Sequence, residues 1–334
     1  MDLFHAVNNG SLQDVKTSFA PDLVTATDKF GCTLLYRAVR SDNAAIVEFL
    51  IQSGCDPAQN NSDGTSAISQ TTNPRILSLL LQAGCDPNSK NKSSGNTLLY
   101  DAIAENREEL CRLLLDKSAN PDFINDDGKF PLLAAVLANN PDTIDLLLQH
   151  GADCAKKDAD GYTAFLTAAE TNAKDCIPIL AKHSAPDQTD PAGNNALHLA
   201  AANDAVESMT QLLLLGTDIL AKNQDGLTPL QIAETEKNRQ AIQFLTRHAQ
   251  KLLFDSAERG DETGLRSILD SGMDPNSRDN QGNTVLMLAA AKGHLDCVNC
   301  LLQYGSKSYH SNKQGATALD LAASAEIKAV LGQD

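Results

Sequence analysis

Asn223-Gln224-Asp225-Gly226-Leu227-Thr228-Pro229-Leu230-Gln231-Ile232-Ala233 sets out, in one short run, a polar turn and the start of an apolar helix. Asp-Gly is a strong tight-turn signal, because glycine enters the left-handed backbone region without steric cost. Thr228 stands where an N-cap oxygen satisfies the orphan amides of a first helical turn, and Pro229 suits the position whose amide has no partner.

The run recurs. Its glycine reappears as Gly31, Gly64, Gly95, Gly128, Gly161, Gly193, Gly226, Gly282 and Gly315, at intervals of 33, 31, 33, 33, 32, 33, 56 and 33 residues. After it come strings such as Thr33-Leu34-Leu35-Tyr36-Arg37-Ala38, Thr97-Leu98-Leu99-Tyr100-Asp101-Ala102 and Thr163-Ala164-Phe165-Leu166-Thr167-Ala168. About a dozen residues further on lies a second apolar stripe, as in Ile46-Val47-Glu48-Phe49-Leu50-Ile51, closed by a glycine such as Gly54 or Gly151. Such a period marks stacked helix pairs. Alanines at 38, 102, 135, 168, 200 and 289 let neighbouring helices approach, and Leu and Ile fill the space between layers. One pair cannot bury its apolar face alone, so successive pairs must stack.

Three departures break the phase. Residues 64–94 have lost two positions, and Pro74 is expected to end or shorten the first helix there, bending the groove locally. The interval of 56 between Gly226 and Gly282 hides a unit without its turn signature: Leu253-Phe254-Asp255-Ser256-Ala257-Glu258-Arg259-Gly260 parallels Leu3-Phe4-His5-Ala6-Val7-Asn8-Asn9-Gly10. A cap-like unit is thus expected to restart near residue 251. That divides the chain into 1–250 (repeats 1–8, with an amino-terminal cap over 1–30) and 251–334 (repeats 9–11). The run Thr246–Lys251 offers few large apolar groups, so the joint is expected to be weak and the first site of proteolysis. The last unit is truncated, with Glu326, Lys328 and Asp334 suited to a closing cap.

Composition agrees with a stack. Aromatic residues are 4% of the chain and Trp is absent, so Leu and Ala must supply the core. The start, Met1-Asp2-Leu3-Phe4-His5, lacks the basic and apolar regions of a signal peptide, and no run has the length of a membrane helix. Secretion and a membrane partner are not expected. The net charge of −16, with basic residues scattered, argues against nucleic acid and for a protein partner with a basic surface. Of the eight cysteines, only Cys297-Val298-Asn299-Cys300 has metal or redox spacing. It falls within a helical pattern, where both thiols read as small buried hydrophobes, and no metal, zinc included, is expected. Reduced thiols fit the cytosol or nucleus.

The repeated strings resemble the ankyrin signature T-P-L-H-x-A, and the resemblance covers essentially the whole chain. It implies an all-α solenoid with short β-hairpin fingers, of about eleven units including degenerate caps. His198 holds the histidine position itself, where the family's histidine braces the hairpin. Tyr36, Tyr100, Leu133, Leu166, Gln231 and Met287 replace it elsewhere. The resemblance also implies a concave partner-binding groove lined by finger tips and first helices. Carried over by position, the groove comprises Lys29, Phe30 and Arg40, then Asp63, Ser94, Asn96 and Glu105. It continues through Asp126, Asp127, Lys129, Asp160, Tyr162 and Glu170 to Asp225 and Leu227. Phe30, Tyr162 and Leu227 are apolar or aromatic at tips, while Asp63, Asp126, Asp127, Asp158, Asp160 and Asp225 form an acidic edge that attracts cations. Asp86-Pro87-Asn88 and Asp274-Pro275-Asn276 resemble the loop asparagines hydroxylated in ankyrin proteins.

No phosphate-binding loop, zinc-protease string or nucleophile elbow is present, and no cofactor is expected. The densest titratable cluster is Glu234, Glu236, His248, Asp255, Glu258 and Asp261, which helical spacing scatters over several faces, so a hydrolase or transferase is disfavoured. The reading is a non-enzymatic adaptor or inhibitor, monomeric on its own. The alternative is a host-directed effector of an intracellular microbe, acting in host cytosol.

Overall fold

A computed structural model describes residues 2–332 apart from Ser93 and Pro186; Asp334, expected in the closing cap, lies outside the described residues. The chain divides into two compact units, Met1–Pro186 and Asp187–Asp334. In the first, helices run in the order α1 Leu3–Asn8, α2 Leu12–Ser18, α3 Leu34–Arg40, α4 Ala44–Gln52, α5 Pro74–Gln82 and α6 Leu98–Ala104. They continue with α7 Glu108–Asp116, α8 Pro131–Leu137, α9 Pro141–Gln149, α10 Ala164–Glu170 and α11 Ile177–Leu180. The second unit holds α12 Ala196–Ala202, α13 Val206–Leu214, α14 Pro229–Glu236, α15 Arg239–Arg259 and α16 Glu262–Asp270. It ends with α17 Val285–Lys292, α18 Leu295–Gln303, α19 Ala318–Leu321 and α20 Ala325–Leu331.

The architecture is an all-α solenoid of stacked helix pairs. First helices start on the expected caps: Thr33, Thr97, Thr163, Asn195, Thr228, Thr284 and Thr317 each accept the amide three residues on. Ala38, Ala135, Ala168, Ala200 and Ala289 are fully buried, which lets first helices pack on first helices, as α6 does on α8 and α8 on α10. The fingers are tight hairpins, six of them closed by one antiparallel bridge each among the described residues. They pair Thr27 with Thr33, Lys90 with Thr97 and Lys157 with Thr163 in the first unit, and Thr189 with Asn195, Arg278 with Thr284 and Ser311 with Thr317 in the second. Among the described residues no longer ladder forms.

Residues 64–94 are irregular for a reason different from the one expected. The first helix is reduced to a short 3-10 turn, Ala67–Gln70, whose leading Ser66 makes no capping bond. Pro74 ends nothing. It occupies the first turn of α5, behind the N-cap Asn73, whose side chain accepts the amides of Arg75 and Ile76.

Residue 250 lies inside α15, a continuous helix of 21 residues. Nothing between Asn238 and Gly260 breaks it, because neither Pro nor Gly occurs there and Gln, Arg, Lys, Ala and Leu are good helix formers. Ala241, Leu245, Ala249, Leu253 and Ala257 recur every four residues and are all buried. The helix packs on α13 and α14 before it and on α16 and α17 after it. Its start is held by Asp204, whose carboxylate accepts the Ala241 amide at 2.6 Å.

Candidate functional site

Each finger opens on an Asn or Asp that folds the turn back on itself. Asp28 Oδ1 accepts the amides of Phe30 and Cys32, Asn125 Oδ1 those of Asp127 and Lys129, and Asp158 Oδ1 those of Asp160 and Tyr162. In the second unit Asp190, Asn223, Asp279 and Asn312 do the same. Burial works against the Asp28 charge, yet hydrogen bonds from Cys32, Arg37 and Phe30 together hold its carboxyl below the usual range. Asp158, counted on the acidic edge, is therefore a turn-forming acceptor, and the two tip residues after it are what the finger presents.

Neighbouring fingers are tied by asparagine rungs that sequence reasoning missed. Asn125 Nδ2 donates to Asn96 Oδ1 at 2.7 Å, Asn223 to Asn194 at 2.8 Å and Asn312 to Asn283 at 2.8 Å. The signal was available, since each pair is separated by 29 residues. Asn96 also donates to Asp101 at 2.6 Å, so its amide is committed within the protein. Asp126 pairs with Lys90 at 2.9 Å, and Glu105 with Arg107 at 2.6 Å.

The remaining groove residues separate into groups. Phe30 is 61% exposed, with the Lys29 ammonium 5.0 Å from its ring centre, and Arg40 and Asp63 are exposed in the same unit. Ser94 is an exposed tip whose hydroxyl accepts the Asn96 amide. Lys129, Asp160, Tyr162 and Glu170 come together around a depression of about 380 Å³ between the fingers and helices α8 and α10. Asp158, Thr167, Leu133 and Leu137 complete its lining. Leu133 is buried, whereas Leu137 is 50% exposed. It too was readable, as the one large aliphatic side chain in a register held by Ala104 and Glu170 at 33 residues either side. Asp225 and Leu227 belong to the second unit, where Asp225 is exposed and Leu227 half-buried.

His198 is buried and braces that second unit. Its Nε2 donates to the Leu227 carbonyl at 3.0 Å, and its Nδ1 lies against Asn195, 2.7 Å from the side-chain Oδ1 and 3.3 Å from the backbone amide. Burial lowers its pKa from the ordinary 6.5. The titratable cluster of 234–262 is dispersed over unrelated tasks. His248 stacks on Phe244, Glu258 pairs with Lys292 at 2.7 Å, and Asp261 caps α16 through the Gly264 amide. Cys297 and Cys300 are buried in α18, and burial pushes the Cys297 thiol up to about 11. Among the described residues no group of three or more His, Cys, Asp or Glu has metal-binding geometry, and no helix is long and apolar enough to cross a membrane. Asn88 Oδ1 accepts the Asn120 amide at 2.7 Å and Asn276 Oδ1 the Lys307 amide at 2.8 Å, so both steady the following loop.

Sequence models of ankyrin repeats match residues 30–62, 65–158, 153–223 and 253–331. Relatives include the potassium channel AKT1 of Arabidopsis thaliana, 38% identical over 112 residues, covering 33% of this chain and 10% of the channel. The neurogenic locus notch homolog protein 1 of Homo sapiens is 31% identical over 146 residues, 40% of this chain and 6% of that protein. Synphilin-1 of Mus musculus is 26% identical over 144 residues, 38% of this chain and 15% of synphilin-1. The chain thus spans a small fraction of these relatives. Among solved structures, the ankyrin repeat domain of Bcl-3 aligns over 71% of this chain and 99% of its own, at 24% identity and a TM-score of 0.39.

Proposed function

As the chain belongs to the ankyrin-repeat family, we propose that it is a non-enzymatic scaffold, an adaptor or inhibitor that holds a partner protein against the finger and first-helix face of its first unit. The observation that supports this most is Leu137, half exposed in a depression that it lines together with Tyr162, the acids Asp158, Asp160 and Glu170 and the single cation Lys129. Aliphatic and aromatic side chains together take an apolar anchor, and three carboxylates against one lysine favour a partner that carries Arg or Lys next to it. Eight buried free cysteines accord with the reducing cytosol or nucleus as its place of work.

The test is affinity capture from native lysate, read by quantitative mass spectrometry, with wild type beside Tyr162→Ala/Asp160→Lys. The reading expects discrete proteins held by wild type and lost from the variant. An identical set on both baits contradicts it.

A further inference from the structure

A chain of net charge −16 contains one stretch, Lys237 to Phe254, with four cations and no Asp or Glu: Lys237, Arg239, Arg247 and Lys251. The stretch leads into and forms most of α15, whose buried stripe faces its neighbours. On the opposite side the helix presents Gln240, Gln243, Phe244, Arg247, Lys251 and Phe254, spaced at three and four residues along one face. Two depressions lie on that face and share Arg247. The first, of about 260 Å³, is closed by Val206, and the second, of about 600 Å³, by the finger tip Arg278–Asn280. Gln250 pins that finger tip to the helix, donating to the Arg278 carbonyl at 2.9 Å. The surface is thereby a fixed groove wall rather than a bare solvated helix.

Arg247 and Lys251 are exposed and form no ion pair with another described residue, whereas Arg112, Arg266 and Lys292 each hold a carboxylate. Phe244 and Phe254 are half-buried and flank the two cations. The acid of that finger, Asp279, is occupied in its own turn, where burial opposes its charge but bonds from Asn283, Gln281 and Gly282 hold its carboxyl low. Asp255 marks the edge of the second depression.

We propose that this face of α15 docks an acidic amphipathic segment of a partner protein, a site separate from the finger groove of the first unit. Carboxylates of the segment pair with Arg247 and Lys251, and its apolar side chains lie on Phe244 and Phe254. The charge pattern selects the occupant. The net charge of −16 disfavours a carboxylate-rich segment over most of the chain and favours its approach to this acid-free, four-cation strip. A polyanionic nucleic acid, longer than the strip, meets that repulsion along most of its length.

Fluorescence anisotropy on the full chain tests this with three labelled probes: a sixteen-residue Glu/Leu amphipathic peptide, its Lys/Leu counterpart and a single-stranded oligonucleotide. The Glu/Leu peptide is expected to bind, to weaken as salt rises from about 50 to about 300 mM, and to lose about tenfold or more in affinity in Arg247→Glu/Lys251→Glu. Circular dichroism of that variant should match wild type, and Arg247→Gln/Lys251→Gln should give an intermediate loss. Tyr162→Ala/Asp160→Lys should leave the Glu/Leu affinity unchanged, which separates this site from the finger groove. Absence of binding by the Glu/Leu peptide, equal affinity in the charge-reversed chain, loss of binding in the groove variant, or tighter binding of the oligonucleotide would each overturn the proposal.

Discussion

Replacing Gln250 by proline asks whether residue 250 is a joint or the middle of a beam. In α15 the ring removes an intrahelical amide donor and collides with the carbonyl four residues back, at Thr246, which costs about 3 kcal/mol. The bond from Gln250 to the Arg278 carbonyl is lost as well, at about 1 kcal/mol. The sum, roughly 4 kcal/mol, corresponds to nearly a thousandfold in an opening equilibrium. Because Leu245, Ala249 and Leu253 form one buried stripe, the cost should fall on both halves of the helix together. Hydrogen exchange resolved to peptides from 239–249 and 251–259 is the assay, with Gln250→Ala as a control that loses about 1 kcal/mol and keeps the helix. The expected result is equal protection of both peptides in wild type and a collapse of both in Gln250→Pro. A change below about tenfold, or unequal protection in wild type, would refute the reasoning and restore the weak joint near 250.

Three further outcomes are expected. His198 is neutral and buried when folded but titrates near 6.5 when unfolded, so its stabilisation is present above pH 6.5 and lost as pH falls from there toward its lower folded value. Urea midpoints against pH should show that slope, and His198→Gln should flatten it while retaining the cap bond, as Gln231 does by accepting the Thr228 amide at 2.9 Å. Gly128 has φ of 75°, and an added Cβ would lie 2.9 Å from Ala159 Cβ, so Gly128→Ala should cost roughly 1–2 kcal/mol in urea unfolding. Asn88 and Asn276 are proposed hydroxylation sites, and peptide mass spectra from a native source should show one added oxygen on each; unmodified peptides throughout would remove them.

Much of this architecture was legible in the chain because its period is enforced by local chemistry. Thr33, Thr97, Thr163 and Thr228 announce helix starts through their own hydroxyls, so helix phase follows from the residue itself. Pro74 misled because proline is compatible with both a helix end and a helix start, and only Asn73 as a cap decides between them. The run Thr246–Lys251 reads as a poor interface because its side chains are small, but it lies inside the continuous helix α15, where Ala249 is buried in the stripe that faces the neighbouring helices. At the candidate site, the tips Asp160 and Tyr162 followed from position, but the fate of Asn96, Asp126 and Asp158 did not. The partners of Asn96 and Asp126, Asn125 and Lys90, are set by the stacking of one finger on the next, whereas Asp158 is taken up by the amides of its own turn. Leu137 is masked by its setting, since a leucine on an apolar helix is ordinarily core, and only its register with Ala104 and Glu170 sets it apart.

The central claim is that the finger and first-helix face of the first unit holds a protein partner, and a photo-cross-linking residue placed at 137 tests it most directly. A second chain carries the same residue at 214, an exposed position of the second unit. The account predicts that irradiation in the native cell traps a discrete partner from position 137, that Tyr162→Ala/Asp160→Lys abolishes this adduct, and that position 214 does not trap it. Equal trapping from both positions, or an adduct at 137 that survives the double substitution, would contradict it.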